Sequence, residues 1–317
     1  RDASSIKRIG RTSHGTPIEI NRHYLESDLK IVVGLVEPHF MAGFSGGRKS
    51  VAVGLTSVES IKYLHGTGFL EHPGARNCNL ESNPLHAELV EIAGAAGVDF
   101  AVNAVIDAER RTGGIFCGDI TESHRAACAF AGRYCFIRAD YSYDIVVTTA
   151  GGYPLDTTYY QAVKGLVGAL GILSPGGGII LASKCAGGLG SSEFRQMLEC
   201  LRDSSGYDDF IRHISQPAGF MIDQWEVEML VKALRRARIY MYSTGISGAD
   251  WPLTFAEPVD SVEHGLSLAL ERCQEAPRKA SGNGPKVAVI PEGPYVVPSF
   301  SSFESFESFE SFENFRS

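Results

Sequence analysis

Short apolar runs of strand length recur along this chain, and between most of them lies a stretch with helical spacing. The runs are LKIVVGLV at 29–36, DFAVNAVID at 99–107, DIVVTTA at 144–150, GGIILAS at 177–183, RIYMYST at 238–244 and KVAVIPEG at 286–293. Helical patterns fill the gaps. At 82–98, Asn83 can cap, Pro84 suits the first turn, and Leu85, Leu89 and Ile92 form an apolar stripe. Others cover 121–131 with Gly132 as the stop, TYYQAVKGLVGAL at 158–170, 192–202, 222–237 and 261–274. Neighbouring parallel strands need a crossover of about a dozen residues, so this alternation predicts an α/β fold. The 317 residues make two domains of about 150 residues each, every one with a central sheet flanked by helices. The boundary is expected near 141, giving 1–140 and a C-terminal α/β domain at 141–298. The remainder, 299–317, repeats SFE units with phenylalanine at every third position. A period of three matches neither helix nor strand, so this tail reads as low-complexity and unstructured.

Charge excludes some function classes. A formal net charge of −8 argues against a nucleic-acid surface, which needs clustered Lys and Arg. No apolar run approaches the ~20 residues of a membrane helix. The opening RDASSIKRIG has no signal-peptide core. Seven cysteines lie scattered with no C-x-x-C pair, which points to buried thiols in a reducing cytoplasm rather than disulfides or structural zinc. The first residue is arginine, so the chain is read as processed or as a piece of a longer protein.

The segment EPHFMAGFSGGRKSV at 37–51 carries the chemistry. Glycines and a serine after a strand, opening into a helix, form an anion-friendly loop. A P-loop is nearly spelled, but it needs glycine immediately before the lysine, where this chain has Arg48. The plain alternative leaves Arg48 and Lys49 solvated. Against it stand His39, ten residues before the lysine, and His65, sixteen after it.

EPHFMAGFSGGRKS and KYLHGTG at 62–68, with Tyr160, Gln161 and Lys164 in the second half, are similar to the nickel-dependent lactate racemase family, whose enzymes carry a nickel-pincer nucleotide. The resemblance runs to about residue 298. It implies a pyridinium-3,5-bisthiocarboxylic acid mononucleotide that holds nickel through sulfur, carbon and sulfur. Lys49 would be its covalent anchor and His65 would complete the nickel coordination. Ser45, Gly46, Gly47 and Arg48 would surround it, and His39 would be one of two catalytic histidines. Tyr160, Gln161 and Lys164 would meet the substrate, Lys164 its carboxylate, with Trp225 nearby. The residue types suit that chemistry: imidazole suits nickel, a lysine amine can anchor a cofactor, and histidine moves protons near neutrality. The implied activity interconverts D- and L-2-hydroxy acids, taking the hydroxyl proton while the C2 hydrogen leaves as hydride onto the cofactor. Cofactor-making proteins are the implied partners.

The family's front, with its second catalytic histidine, has no counterpart upstream of Arg1, and His14 and His23 lie in the wrong context to replace it. The expectation is a fragment or truncated product of such a racemase, whose turnover with the cofactor would show the missing segment to be dispensable. The competing reading is a phosphate- or nucleotide-binding module of P-loop type without redox chemistry. His72, His86, His124, His213 and His264 have no partner at helical metal-ligand spacing and are left out of the site. Asp156 is expected to cap the TYYQ helix.

Overall fold

Parallel strands dominate the second half of the chain. Here the computed structural model, which describes residues 3–275 and 284–300, places five in the order Glu257–Pro258, Arg238–Tyr242, Leu173–Ala182, Tyr143–Thr149, Val287–Ile290. All four pairings are parallel. Successive strands step outward from Tyr143–Thr149, and the last returns to its other side. The sheet therefore has a switch point between its first strand and Val287–Ile290, with a crevice at the carboxyl ends. Ile145, Ile180, Tyr240, Val259 and Ala269 form one core cluster. The helices Tyr159–Ala169 and Gln224–Leu234 pack on each other, and Ser192–Asp203 and Tyr207–Ile214 also contact the latter.

The chain divides into two compact units, one reaching Phe136 and the other beginning at Ile137. The first unit holds a mixed sheet. Ile31–Leu35 runs parallel to Phe100–Ile106, which pairs antiparallel with Thr112–Gly118. A separate hairpin joins Ile6–Arg11 to Pro17–Asn21. Asn83 caps Pro84–Ala96 by accepting from the Leu85 and His86 N–H groups, as the sequence pattern implies.

Several expectations are corrected. The 29–36 run, apolar enough to be expected as a fully buried strand, is buried on one side only: Val32 and Val36 face inward, while Ile31, Val33 and Leu35 are exposed. The helix expected to stop at Gly132 spans Ile120–Cys135, because Gly132 is a buried interior position. Its cap is Asp119, which accepts from Thr121 and Glu122. Thr158, not Asp156, caps the Tyr159 helix. The Asp156 carboxylate instead accepts from the Lys184 N–H at 3.3 Å. The expected tail lies, from 301 onward, outside the described residues. Among the described residues no helix is long and apolar enough to cross a membrane. All seven cysteines are free thiols, but only Cys78, Cys128, Cys135 and Cys185 are buried, and Cys117 is exposed.

Candidate functional site

The loop after Ile31–Leu35 closes on itself before it reaches Lys49. The Ser45 hydroxyl donates to Leu35 O at 2.7 Å and accepts from the Glu37 N–H at 3.0 Å. Gly46 and Gly47 both adopt left-handed backbone, φ +70° and +49°, which side-chain-bearing residues pay to enter. A Cβ on Gly46 would lie 2.7 Å from Val36 Cγ2, and one on Gly47 would lie 2.5 Å from His124 Cδ2. The glycines are therefore needed for close packing. The Gly47 N–H donates to Asn103 Oδ1 at 3.0 Å. The helix that follows, Lys49–Ala52, is a single turn. A P-loop presents its amides to phosphate at the head of a longer helix. Here one of those amides is consumed internally, and the P-loop reading does not hold.

Arg48 is neither solvated nor turned outward. It is 2 % exposed, with Nη2 donating to Ala42 O and Nη1 to His124 Nε2, both at 2.7 Å. A guanidinium cannot accept, so His124 Nε2 must be the acceptor. The Ser45 carbonyl 2.9 Å from that same nitrogen is then an unbonded approach. Burial, then the Arg48 charge, holds His124 well below its ordinary pKa. Burial lowers Arg48 itself to about 10, so it stays charged at neutrality. Its Nε is buried without a partner. His86 stacks on His124 at 6.5 Å, and burial and Arg48 lower it to about 3. Sequence reasoning set His86 and His124 aside. The available signal was His124 and Cys128 one helical turn apart, whose side chains approach to 3.4 Å.

Lys49 is half-buried at the start of its turn. His65 occupies the C-cap of Val58–Leu64, where its backbone N–H bonds to Ile61 O. Its Nδ1 also lies 3.0 Å from Ile61 O. A carbonyl only accepts, so Nδ1 carries the proton and Nε2 the lone pair. Burial, opposed by the Ile61 bond and aided by the nearby Lys49 charge, lowers His65 to about 4. The ring is neutral at physiological pH. His39 has the other tautomer: Nδ1 accepts from the Met41 and Ala42 N–H groups at 3.3 and 3.2 Å, which leaves the proton on Nε2. As placed, His39 offers a proton through Nε2, and taking one there requires giving up both backbone bonds.

The other expected residues lie in the second unit. Tyr160, Gln161 and Lys164 all lie in the first two turns of Tyr159–Ala169, with Tyr160 and Lys164 one turn apart on one face. Trp225, on Gln224–Leu234, donates its indole N–H to the Tyr160 hydroxyl at 2.8 Å. Burial raises the Tyr160 pKa far above its usual value, with the Glu226 charge adding to it. Gln161 Oε1 is buried without a hydrogen-bond partner. Glu226, unnoticed in the sequence, is 1 % exposed. Burial raises it to about 8, with Lys164 opposing the rise. None of these four expected residues lines the cavity of about 490 Å³ at the strand ends, which is bordered by Thr149, Gly151, Asp156, Ser183 and Lys184.

No cluster of three or more His, Cys, Asp or Glu side chains suited to a metal ion occurs among the described residues. A metal on His65 would draw its other ligands from a bound molecule. The neutral ring with its lone pair on Nε2, and the Lys49 amine close enough to act on it, suit a small group held by both.

The lactate racemase N-terminal domain family matches residues 1–77, and the lactate racemase C-terminal domain family matches residues 139–297. The lactate racemase of Thermoanaerobacterium thermosaccharolyticum is 33% identical over 298 residues, 94% of this chain and 67% of that protein. The lactate racemase of Lactiplantibacillus plantarum is 34% identical over 293 residues, 92% of this chain and 66% of that protein. The chain thus spans about two thirds of the length of these relatives. The solved lactate racemase apoprotein from T. thermosaccharolyticum superposes with a TM-score of 0.85 at 32% identity, covering 94% of this chain and 69% of that one. A Thermotoga maritima protein superposes at 0.68 with 16% identity, covering 94% and 76%, which speaks to the fold alone.

Proposed function

This chain belongs to the lactate racemase family, and from that premise we propose that it acts on D- and L-2-hydroxy acids with a nickel-pincer nucleotide held by Lys49 and His65. The observation that carries the proposal is the pairing in the first unit: a neutral, half-buried His65 whose tautomer is set by Ile61, under the influence of the Lys49 charge. A carbonyl behind a ligating histidine fixes the ring and raises its basicity. When bound, the cofactor supplies a hydride acceptor for the C2 hydrogen.

The protein's own groups do the rest. Lys49 anchors through its amine. Lys164 receives the substrate carboxylate, and Gln161 offers an amide oxygen that has no partner within the protein. The Trp225–Tyr160 bond fixes the Tyr160 hydroxyl, leaving its O–H to donate. His39 takes the substrate hydroxyl proton at Nε2 once its ring gives up the Met41 and Ala42 N–H bonds, and the resulting imidazolium returns that proton in the reverse direction. Arg48 braces the loop from inside, and Ser45, Gly46 and Gly47 shape it. The loop's internal bonding favours this reading over the phosphate-binding module. The chain produced with the cofactor-making proteins is expected to convert L-lactate towards a racemic mixture, followed by chiral chromatography. Lys49→Ala, His65→Ala and Lys164→Ala should each abolish conversion. Turnover that survives Lys49→Ala would contradict the proposal.

A further inference from the structure

Glu226 is a carboxyl that the proposed mechanism does not use, placed against the residues that it does use. It is 1 % exposed on the helix Gln224–Leu234. One of its oxygens, Oε1, has no hydrogen-bond partner. It follows directly on Trp225, whose indole ties this helix to the Tyr159–Ala169 helix through Tyr160. Its electrostatic neighbours are Lys164, from that second helix, and Asp223, at the head of its own. Tyr160 feels its charge as well. Two expected substrate contacts thus border it, and a third is its neighbour in the chain.

On its own helix Glu228 is fully buried two residues further on. Two other helices packed on Gln224–Leu234 carry, besides His213, charged groups with partners of their own. On Ser192–Asp203, Arg195 pairs with Asp250 and Glu199, Arg202 pairs with Asp203, and the Glu193 carboxylate accepts from Ser192. On Tyr207–Ile214, Arg212 pairs with Asp209, and Asp208 pairs with Arg235. Asp223 accepts from the Ser191 hydroxyl.

We propose that Glu226 is a positioning residue which, while protonated, leaves the Lys164 ammonium to an anionic substrate and, once ionised, competes with that substrate for it. The inference rests on the reading of Lys164 as the carboxylate contact. A buried carboxylate gains most from the nearest cation, and a second anion beside Lys164 would meet repulsion in a poorly solvated place. Proton binding by Glu226 and carboxylate binding at Lys164 therefore support each other. Tyr160 does not interfere, since its hydroxyl stays protonated well above neutrality.

The test is calorimetric titration of the full chain with sodium L-lactate between about pH 6 and about pH 9. Lactate is anionic throughout. With Glu226 titrating at about 8, the competent protonated form falls about tenfold between pH 7 and pH 9, and apparent affinity falls with it. Glu226→Gln should bind with no such decline, and Glu226→Asp, which keeps a titratable carboxyl, should restore one. A parallel decline in wild type and Glu226→Gln, or no decline in wild type, overturns the proposal. Lys164→Ala separates the two layers. Lactate binding at low pH that survives this change refutes Lys164 as the carboxylate contact. Binding that needs Lys164 but ignores pH refutes the role of Glu226 alone. An absence of lactate binding at any pH counts against both.

Discussion

Replacing Gly47 with alanine tests how rigidly the anchor loop is held. The substitution meets two separate costs. The first is conformational: at φ +49° an L side chain costs about 1–2 kcal/mol. The second is steric. The new Cβ would lie 2.5, 2.6 and 2.8 Å from three His124 side-chain atoms, and His124 cannot easily yield because Arg48 Nη1 is bonded to it at 2.7 Å. Overpacking of this kind costs about 1–3 kcal/mol, so the whole effect is about 2–5 kcal/mol. Gly15 is the internal control. It lies in the same unit with φ +91° and nothing within 4 Å of an added Cβ, so Gly15→Ala should show only the conformational cost of about 1 kcal/mol. Urea unfolding of both variants gives the comparison. The expected result is a Gly47→Ala loss at least twice that of Gly15→Ala, with weakened protection of the Gly47 amide from hydrogen exchange. Equal losses would show that the loop yields freely and that His124 does not clamp it.

Further outcomes follow from the second unit and the helix caps. Glu226 holds its proton up to about pH 8, against an ordinary value of 4.5. Between those values the folded form binds more protons than the unfolded one, so its contribution is favourable below 4.5 and is lost as pH rises through 8. At about 1.4 kcal/mol per pH unit, ionisation in the unfolded chain costs folding about 3 kcal/mol at pH 7. Glu226→Gln should recover about 2 kcal/mol of this after the cost of burying an extra N–H, and nothing near pH 4; equal effects at both pH values in urea titrations contradict the assignment. Trp225→Phe removes the bond to Tyr160 and should lower stability by about 1 kcal/mol and weaken lactate binding; unchanged binding would place Trp225 outside the site. Asp119→Ala should cost about 1 kcal/mol through the lost cap, whereas Asp156→Ala should leave the Tyr159 helix intact by circular dichroism.

Elements built on strong periodicity were legible in the sequence. The parallel strands of the second unit and the Asn83-Pro84 helix start appear where apolar runs and capping chemistry place them. The hairpin of Ile6–Arg11 was hidden because five of its six residues are exposed, so it carries no inward apolar face to read. Thr112–Gly118 was hidden by its glycines, since its pairing to Phe100–Ile106 is a tertiary choice. Gly132 misled because its helix buries that position, where a stop signal would be solvated. The site was legible only in part. Lys49 and His65 stand out through the resemblance, whereas the inward turn of Arg48 depends on His124, seventy-six residues away. Glu226 was invisible because WEVEM reads as an amphipathic helix with glutamates in water. In the fold, seven of the eight residues from Gln224 to Val231 are buried.

The account's central claim is that Lys49 and His65 hold one nickel-bearing group between them. Intact-mass and nickel analysis of the chain produced alongside the cofactor-making proteins tests it most directly. The account predicts a cofactor adduct mapped to Lys49 with one nickel per chain. It also predicts loss of adduct and metal together in Lys49→Ala, and loss of nickel in His65→Ala while the adduct remains. A nickel-free chain with an unmodified Lys49, or nickel retained equally in both variants, would contradict it.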